Sequence, residues 1–173
     1  MVLESYIRNR LNEKDILLMT HIVLGYPSFE DSLELIRVMV AAGVDLMELQ
    51  IPFSEPTADG PIIVNANQRA LESGATIKDC LSLAKKVVRI FDIPFLIMSY
   101  YNIPFIYGLK RFAAAMSSCG LRGAIIPDLP PEEGQEYLDK MKAYDLAPIL
   151  IFSPATSFDR MRYITSFGRG FIY

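Results

Sequence analysis

Two carboxylates, Glu48 and Asp59, flank a Pro-rich loop that follows a short apolar run. No Lys, Arg or His occurs between Arg37 and Arg69, so a carboxyl group that folds inward here has no counter-ion nearby in the sequence. Burial without a counter-ion raises the pKa of a carboxyl toward neutrality. An acid with such a pKa suits proton transfer, and both residues are therefore candidates for general acid/base chemistry.

Short apolar runs alternate with amphipathic segments along the chain. The runs predict strands over residues 16–24, 44–51, 94–99, 123–127, 146–152 and 170–173. The intervening segments predict helices over about 29–42, 61–74, 77–91, 108–118, 131–144 and 157–167. The helix boundaries are marked by two capping boxes, a proline at a first helical position and two glycine stops: Ser28 with Asp31, Thr76 with Asp79, Pro61, Gly43 and Gly120.

This alternation predicts an α/β fold, a parallel sheet with helices outside it. A doubly wound open sheet and a (β/α) barrel both fit, but no Gly-rich phosphate-binding motif follows the first strand. Polar residues recur where strands end, and in a barrel these positions converge on the face that holds the active site: Glu48, Asn102, Asp128 and Ser153. We therefore predict a single barrel domain of the TIM (β/α)8 type over residues 1–173.

The number of predicted strands does not complete such a barrel. A full barrel has eight βα units and roughly 250 residues, whereas about six units fit into 173 residues. A six-strand arc would leave two unpaired edges and an uncovered apolar interior. Either the sequence is truncated or the missing units come from elsewhere. We favour truncation and expect the domain to be incomplete at its C-terminal end.

Composition narrows the class of protein. The 51% of hydrophobic residues and the mean hydropathy of +0.26 fit strands buried on both faces. A net charge of −3 without a basic stripe argues against nucleic acid as a partner.

Cys80 and Cys119 lack metal-ligand spacing and indicate free thiols. No secretory signal opens the chain, and its most apolar window, 93–109, is shorter than the roughly 20 residues of a membrane span. We expect a soluble, cytoplasmic protein.

Strand alternation predicts where Glu48 points. Leu46, Glu48 and Gln50 share one face of the second strand, and the aliphatic Met47, Leu49 and Ile51 share the other. The aliphatic face should pack against helices, so Glu48 should point into the barrel. The alternative is a structural carboxylate satisfied by hydrogen bonds. Asp59 has an alternative of its own, because it precedes Gly60 and Pro61 and could cap the next helix.

Four segments resemble the tryptophan synthase alpha chain family, in its order and at its spacing: 48–61, 99–102, 126–133 and 168–173. The similarity covers essentially all 173 residues, and the first segment is the most specific. It implies a TIM-barrel lyase of tryptophan biosynthesis that cleaves indole-3-glycerol phosphate to indole and glyceraldehyde 3-phosphate. It also implies a complex of two alpha and two beta chains. Pyridoxal phosphate is then expected only on the beta chain, with no cofactor or metal on this one.

The resemblance assigns the general acid/base to Glu48 and the partner of the indole N–H to Asp59. This retro-aldol cleavage requires protonation of a ring carbon and removal of a proton from the adjacent hydroxyl. One carboxyl can serve both steps if its pKa lies near the operating pH. The ring nitrogen becomes positive meanwhile, and an ionised Asp59 would stabilise it.

The resemblance also assigns substrate contacts, to Tyr173, Tyr100 and Ile151. Ordinary core packing is the alternative for the latter two. His21, the only histidine, could border the indole, but we favour a neutral, hydrogen-bonded core residue without a catalytic role.

Three residues match positions that face the beta chain in the family: Glu55, Pro56 and Asn102. From the sequence alone, Asn102 would be a turn residue.

The chain departs from the family in three places. Gln50 replaces a glycine and shares the face of Glu48, so we hypothesise that its amide retunes that carboxyl. Glu55 replaces an aspartate in the partner-facing loop and could change partner affinity. The family's phosphate-binding loops follow strands seven and eight, so we expect little or no cleavage by the 173-residue polypeptide alone.

Two other functions stay open at this point. One is a catalytically idle barrel that binds and activates a beta-type partner. The other is a stand-alone indole-3-glycerol phosphate lyase.

Overall fold

The computed structural model describes residues 2–173, which form a parallel sheet with helices between its strands. The strands are β1 (Met19–Val23), β2 (Leu46–Gln50), β3 (Phe95–Met98), β4 (Gly123–Ile125) and β5 (Ala147–Ile149). The helices are α1 (Leu3–Leu11), α2 (Phe29–Ala41), α3 (Pro61–Glu72), α4 (Ile77–Ile90), α5 (Asn102–Tyr107), α6 (Leu109–Cys119), α7 (Gln135–Ala143) and α8 (Phe158–Thr165). Each strand pairs in parallel with the next one along the chain. The predicted parallel βα architecture is confirmed.

Apolar side chains line both faces of this sheet. Met47, Leu49 and Ile97 belong to the large cluster that includes residues of the surrounding helices. Leu46 and Leu96 belong to a second cluster on the opposite face, which also receives Leu3 from α1. The first face is therefore the outer one, and the second is the interior of the curved sheet.

Local sequence signals set most helix ends. Ser28 Oγ accepts the N–H of Asp31 at 3.0 Å, and Thr76 Oγ1 accepts that of Asp79 at 3.2 Å, so both predicted N-caps are present, while the Asp31 and Asp79 carboxylates accept hydrogen bonds from the cap hydroxyls. Pro61 is the first residue of α3, where its missing N–H costs nothing. Gly120 ends α6 with a φ of +82°, a conformation in which glycine carries no steric penalty.

The last predicted strand, 170–173, is present only in part. A single parallel bridge joins Leu150 to Ile172. Two backbone hydrogen bonds flank it, from the Phe152 N–H to the Tyr173 carbonyl and from the Tyr173 N–H to the Leu150 carbonyl, both 2.8 Å long. This bridge brings Tyr173 to the edge of the sheet next to β5.

Two helices lie where the sequence analysis predicted none. α1 buries only Leu3, so its apolar periodicity is weak. Asn102 is not a turn residue but the first residue of α5, in which Pro104 occupies the first turn. The Asp128 carboxylate accepts the Tyr101 N–H just before this helix, at 2.9 and 3.1 Å. Within residues 2–173, no helix is long and apolar enough to cross a membrane.

Candidate active site

Glu48 lies in the middle of β2, directly between His21 of β1 and Leu96 of β3. Its sequence neighbours Met47 and Leu49 pack in the outer cluster, so its own side chain faces the interior. Only 4% of its surface is exposed. The predicted inward orientation is confirmed, and it follows from strand alternation alone.

The surroundings of Glu48 favour its protonated form. Burial raises its pKa from 4.5 to about 7, a hydrogen bond from the Tyr173 hydroxyl opposes this rise, and the charge of Asp59 adds to it. The Tyr173 hydroxyl donates to Glu48 Oε1 at 3.2 Å, and no other hydrogen bond or salt bridge reaches this carboxyl from residues 2–173. One hydrogen bond is few for a buried structural carboxylate. A carboxyl with a pKa near neutrality can both donate and accept a proton.

Asp59 does not cap a helix. The N-cap of α3 is Gly60, and the structure gives no side-chain hydrogen bond that caps this helix. Asp59 Oδ2 accepts hydrogen bonds from Gln50 Nε2 at 2.8 Å and from the Tyr100 hydroxyl at 3.1 Å. The Tyr100 hydroxyl also accepts the N–H of Ala58 at 3.0 Å. Tyr100 therefore ties the Asp59 loop to the end of β3.

Gln50 acts on Asp59 and not on Glu48. Its side chain is completely buried, and its amide contacts Asp59, Asn67 and His21. No hydrogen bond joins the Gln50 amide to Glu48, so any retuning of Glu48 by Gln50 would have to act through these partners. Strand alternation correctly predicts a shared face, but the long Gln50 side chain reaches across to the loop and to α3.

His21 is a hydrogen-bonded residue of the interior. Its Nε2 lies 2.6 Å from Gln50 Oε1. Burial lowers its pKa below the usual value, against the smaller effects of Gln50 and Asp59. These contacts fit the neutral core histidine that the sequence favours.

The remaining predicted substrate residues lie around the same interior. Tyr100 is 1% exposed and stacks on Phe53 with ring centroids 5.2 Å apart, and burial raises its pKa to about 12. Ile151, just after β5, packs against the inner cluster. Tyr173 is half exposed, with its hydroxyl on Glu48. Side chains from β1, β2 and the segments after β2, β3 and β5 therefore meet at one site.

Sequence reasoning missed Asn67. This residue of α3 is completely buried, and its Oδ1 accepts the Phe53 N–H at 2.9 Å and Gln50 Nε2 at 3.3 Å. A signal was available, because Ile63, Ala66 and Ala70 mark the buried stripe of α3, and helical spacing places Asn67 on it. A polar residue on an apolar stripe requires a polar partner.

The three residues expected at a partner interface differ in exposure. Glu55 and Asn102 are exposed, whereas Pro56 is buried. Phe105 and Ile106, in the same helix as Asn102, are 61% and 75% exposed. Asn102 therefore stands beside an exposed apolar patch.

The described residues offer few groups for other chemistry. Within 2–173 no cluster of three or more His, Cys, Asp or Glu side chains could hold a metal ion. Cys80 and Cys119 are buried free thiols, as predicted.

A parallel βα sheet with a buried carboxyl in its interior is typical of enzymes of the βα-barrel class. The chain belongs to the tryptophan synthase alpha chain family, whose sequence model matches residues 7–173. The tryptophan synthase alpha chain of Syntrophotalea carbinolica is 59% identical over 172 residues, which are 99% of this chain and 68% of that one. The tryptophan synthase alpha chain of Desulforapulum autotrophicum is 58% identical over 172 residues, again 99% of this chain and 68% of that one.

Solved structures agree with this assignment. Tryptophan synthase subunit alpha from Legionella pneumophila superposes with a TM-score of 0.93 at 32% identity, covering all of this chain and 67% of that one. A chain of Mycobacterium tuberculosis tryptophan synthase superposes with a TM-score of 0.93 at 30% identity. The match covers 99% of this chain and 66% of that one. The chain thus spans about two thirds of the length of its relatives. The predicted TIM-barrel class and the family, lyases that cleave indole-3-glycerol phosphate, are confirmed.

Proposed function

We propose that Glu48 is the general acid/base and Asp59 the indole-binding carboxylate of a tryptophan synthase alpha chain. The observation that carries this proposal is the inward Glu48 carboxyl, 4% exposed and with its pKa raised to about 7. At neutral pH such a group exists in both protonation states. The cleavage of indole-3-glycerol phosphate requires both of them.

The reaction uses Glu48 first as an acid and then as a base. The protonated carboxyl donates its proton to the ring carbon that bears the glycerol chain, and the ring nitrogen becomes positively charged. The carboxylate then takes the proton of the adjacent side-chain hydroxyl. The carbon–carbon bond breaks, its electron pair returns to the ring, and indole and glyceraldehyde 3-phosphate result. General acid/base catalysis of this kind contributes about 10²- to 10⁴-fold.

Asp59 would stabilise the intermediate charge. Its carboxylate is held by Gln50 and Tyr100, so it need not reorganise when the ring nitrogen becomes positive. We place Tyr100, Ile151 and Tyr173 around the substrate. His21 would border the indole through its ring while its Nε2 stays bonded to Gln50.

We further propose that the chain works with a beta chain in a cytoplasmic complex of two alpha and two beta chains. Glu55 and Asn102 would contribute to that interface, beside the exposed Phe105 and Ile106. Pyridoxal phosphate would then reside on the beta chain, and this chain would need neither cofactor nor metal.

Replacement of Glu48 by Gln tests the acid/base role. The Glu48→Gln variant of the full protein is assayed together with a beta chain. It should lower kcat for glyceraldehyde 3-phosphate release by about 10²-fold or more. Substrate binding and activation of the beta-chain reaction should persist. The control is Glu72→Gln at an exposed position of α3, which should leave kcat unchanged.

An unchanged kcat in Glu48→Gln would refute the assignment. The same assay separates the other functions. An idle module would activate the partner without releasing glyceraldehyde 3-phosphate, and a stand-alone lyase would release free indole at full rate without the beta chain.

A further inference from the structure

We propose that Gln50 is a positioning residue whose buried amide orients the Asp59 carboxylate and keeps the imidazole proton of His21 on Nε2. The structural part of this inference depends only on the hydrogen bonds around Gln50. The functional part rests on the proposed role of Asp59 in binding the indole N–H.

The orientation of these side chains starts at the backbone. The Phe53 N–H can only donate, and it faces one end of the Asn67 amide at 2.9 Å. The Ile63 carbonyl can only accept, and it faces the other end at 2.8 Å. Asn67 must therefore direct Oδ1 toward Phe53 and Nδ2 toward Ile63. Its amide cannot be flipped without the loss of both bonds.

Asn67 in turn orients Gln50. Asn67 Oδ1 is an acceptor, and the Asp59 carboxylate is also an acceptor. Both lie next to the same end of the Gln50 amide, at 3.3 and 2.8 Å, so that end must be the NH2 group. Its two protons match the two acceptors. A flipped amide would place Oε1 against two oxygens in a completely buried position, which is costly.

Gln50 then determines the tautomer of His21. Only Oε1 remains to face the imidazole, and it lies 2.6 Å from Nε2. An amide oxygen accepts, so Nε2 must carry the proton. In the neutral ring Nδ1 is then unprotonated. One buried amide thus orients two groups from different elements, the loop after β2 and strand β1.

The consequence for the reaction lies in Asp59. The hydrogen bond from the buried Gln50 amide holds the Asp59 carboxylate in one orientation. Without the Gln50 donor, Tyr100 alone would hold Asp59 Oδ2. The carboxylate would then have to reorient as the ring charge develops, which slows the chemical step.

The single histidine allows a direct test of the structural part. In the 15N NMR spectrum of the protein with labelled imidazole, only Nε2 should show the shift of a protonated ring nitrogen. In Gln50→Met, which keeps the side-chain length without its amide, the two nitrogens should show the averaged shifts of mixed tautomers. The control Gln135→Met removes an exposed amide that also donates to an aspartate, Asp139, and should leave the spectrum unchanged. A wild-type proton on Nδ1, or an unaltered tautomer in Gln50→Met, would overturn the proposal.

Kinetics test the functional part. Gln50→Met should lower kcat about 10-fold or more, the range expected for loss of a hydrogen bond to a charged group, with a KM change below about 3-fold. A lower Tm with unchanged kcat would show a merely structural role. Should Gln50→Met fail to fold, Gln50→Glu keeps the shape, removes the amide donor and should give the same loss of kcat.

The outcomes separate the two proposals. If Asp59→Asn leaves kcat unchanged while the histidine tautomer depends on Gln50, the proposed role of Asp59 fails and the orientation of the network stands. If Asp59→Asn abolishes cleavage but Gln50→Met and Gln50→Glu retain wild-type kcat, Asp59 acts without help from Gln50 and the inference fails.

Discussion

Asp45 lies just before β2 and Glu48 in its middle, three residues apart, and their pKa values are shifted in opposite directions. Both side chains are almost completely buried, at 2% and 4% exposure. Yet the pKa of Asp45 is about 2 and that of Glu48 is about 7. The exposed fractions of the two side chains are too similar to account for the difference by themselves.

The difference comes from the partners of each carboxylate. Burial by itself would raise the pKa of Asp45, but hydrogen bonds from Lys14, the Leu18 N–H and Arg10 outweigh it. Lys14 Nζ and Arg10 Nη2 lie 2.7 and 2.9 Å from Oδ1. Among residues 2–173, the groups that act on the Glu48 carboxyl are the neutral Tyr173 hydroxyl and the negative charge of Asp59.

The two carboxylates therefore have different functions although they lie three residues apart. Asp45 joins β2 to α1 and the segment after it, at the end of the sheet away from the site, and stays ionised. Glu48 faces the interior and exchanges its proton near neutral pH. The Asp45 carboxylate should therefore stabilise the folded protein. The Glu48 carboxyl should destabilise it, because its environment serves proton transfer and not the stability of the fold.

The largest effect on stability is expected at Asp45. Asp45→Asn removes the carboxylate that Arg10 and Lys14 share, and the loss of these charged hydrogen bonds should cost roughly 2 to 3 kcal/mol of the free energy of unfolding. Catalysis should change little, because the site lies at the other end of the strand. The control Asp159→Asn breaks an exposed ion pair with Arg162 and should cost less than about 0.5 kcal/mol. Urea unfolding measures both, and equal losses would mean that the buried cluster adds no stability.

Glu48→Gln should raise the free energy of unfolding, the opposite of the effect expected for Asp45→Asn. The pKa of Glu48 is higher in the folded protein than in the unfolded chain, so the folded state binds more protons between pH 4.5 and about 7, and stability falls as pH rises through this range. Gln cannot ionise. The variant should therefore gain about 2 kcal/mol relative to wild type between pH 5 and pH 8. A stability difference independent of pH in urea unfolding would contradict this expectation.

The smallest effect is expected at Tyr173. Its hydroxyl favours the ionised form of Glu48, so Tyr173→Phe should raise the pKa of that carboxyl further. The limb of the kcat/KM profile that reports Glu48 should move to higher pH by less than about one unit. Tyr163→Phe, at an exposed position of α8, serves as the control. A shift to lower pH would show that the hydroxyl does not favour the ionised form.

Sequence reasoning succeeded where the physical cause is local. Strand alternation predicted the inward Glu48, and the capping residues Ser28 and Thr76 predicted the starts of α2 and α4. It failed where partners come from distant segments. The lack of cations between Arg37 and Arg69 applies equally to Asp45, which nevertheless finds two cations more than 30 residues earlier.

The details of the site depend on the same distant contacts. The Gln50–Asp59 bond requires the loop after β2 to fold back over the strand, and the Tyr100–Asp59 bond spans 41 residues. Neither can be read from spacing. α1 was missed because it buries a single residue, although it contributes Arg10 to the Asp45 cluster.

The titration of Glu48 tests the central claim most directly. In 13C NMR of protein with labelled glutamate carboxyls, the resonance that disappears in Glu48→Gln belongs to this residue. Its chemical shift should titrate with a midpoint at about 7. A midpoint near 4.5, the value of an unperturbed glutamate, would contradict the account, because Glu48 would then be fully ionised at neutral pH and could not donate the proton that the cleavage requires.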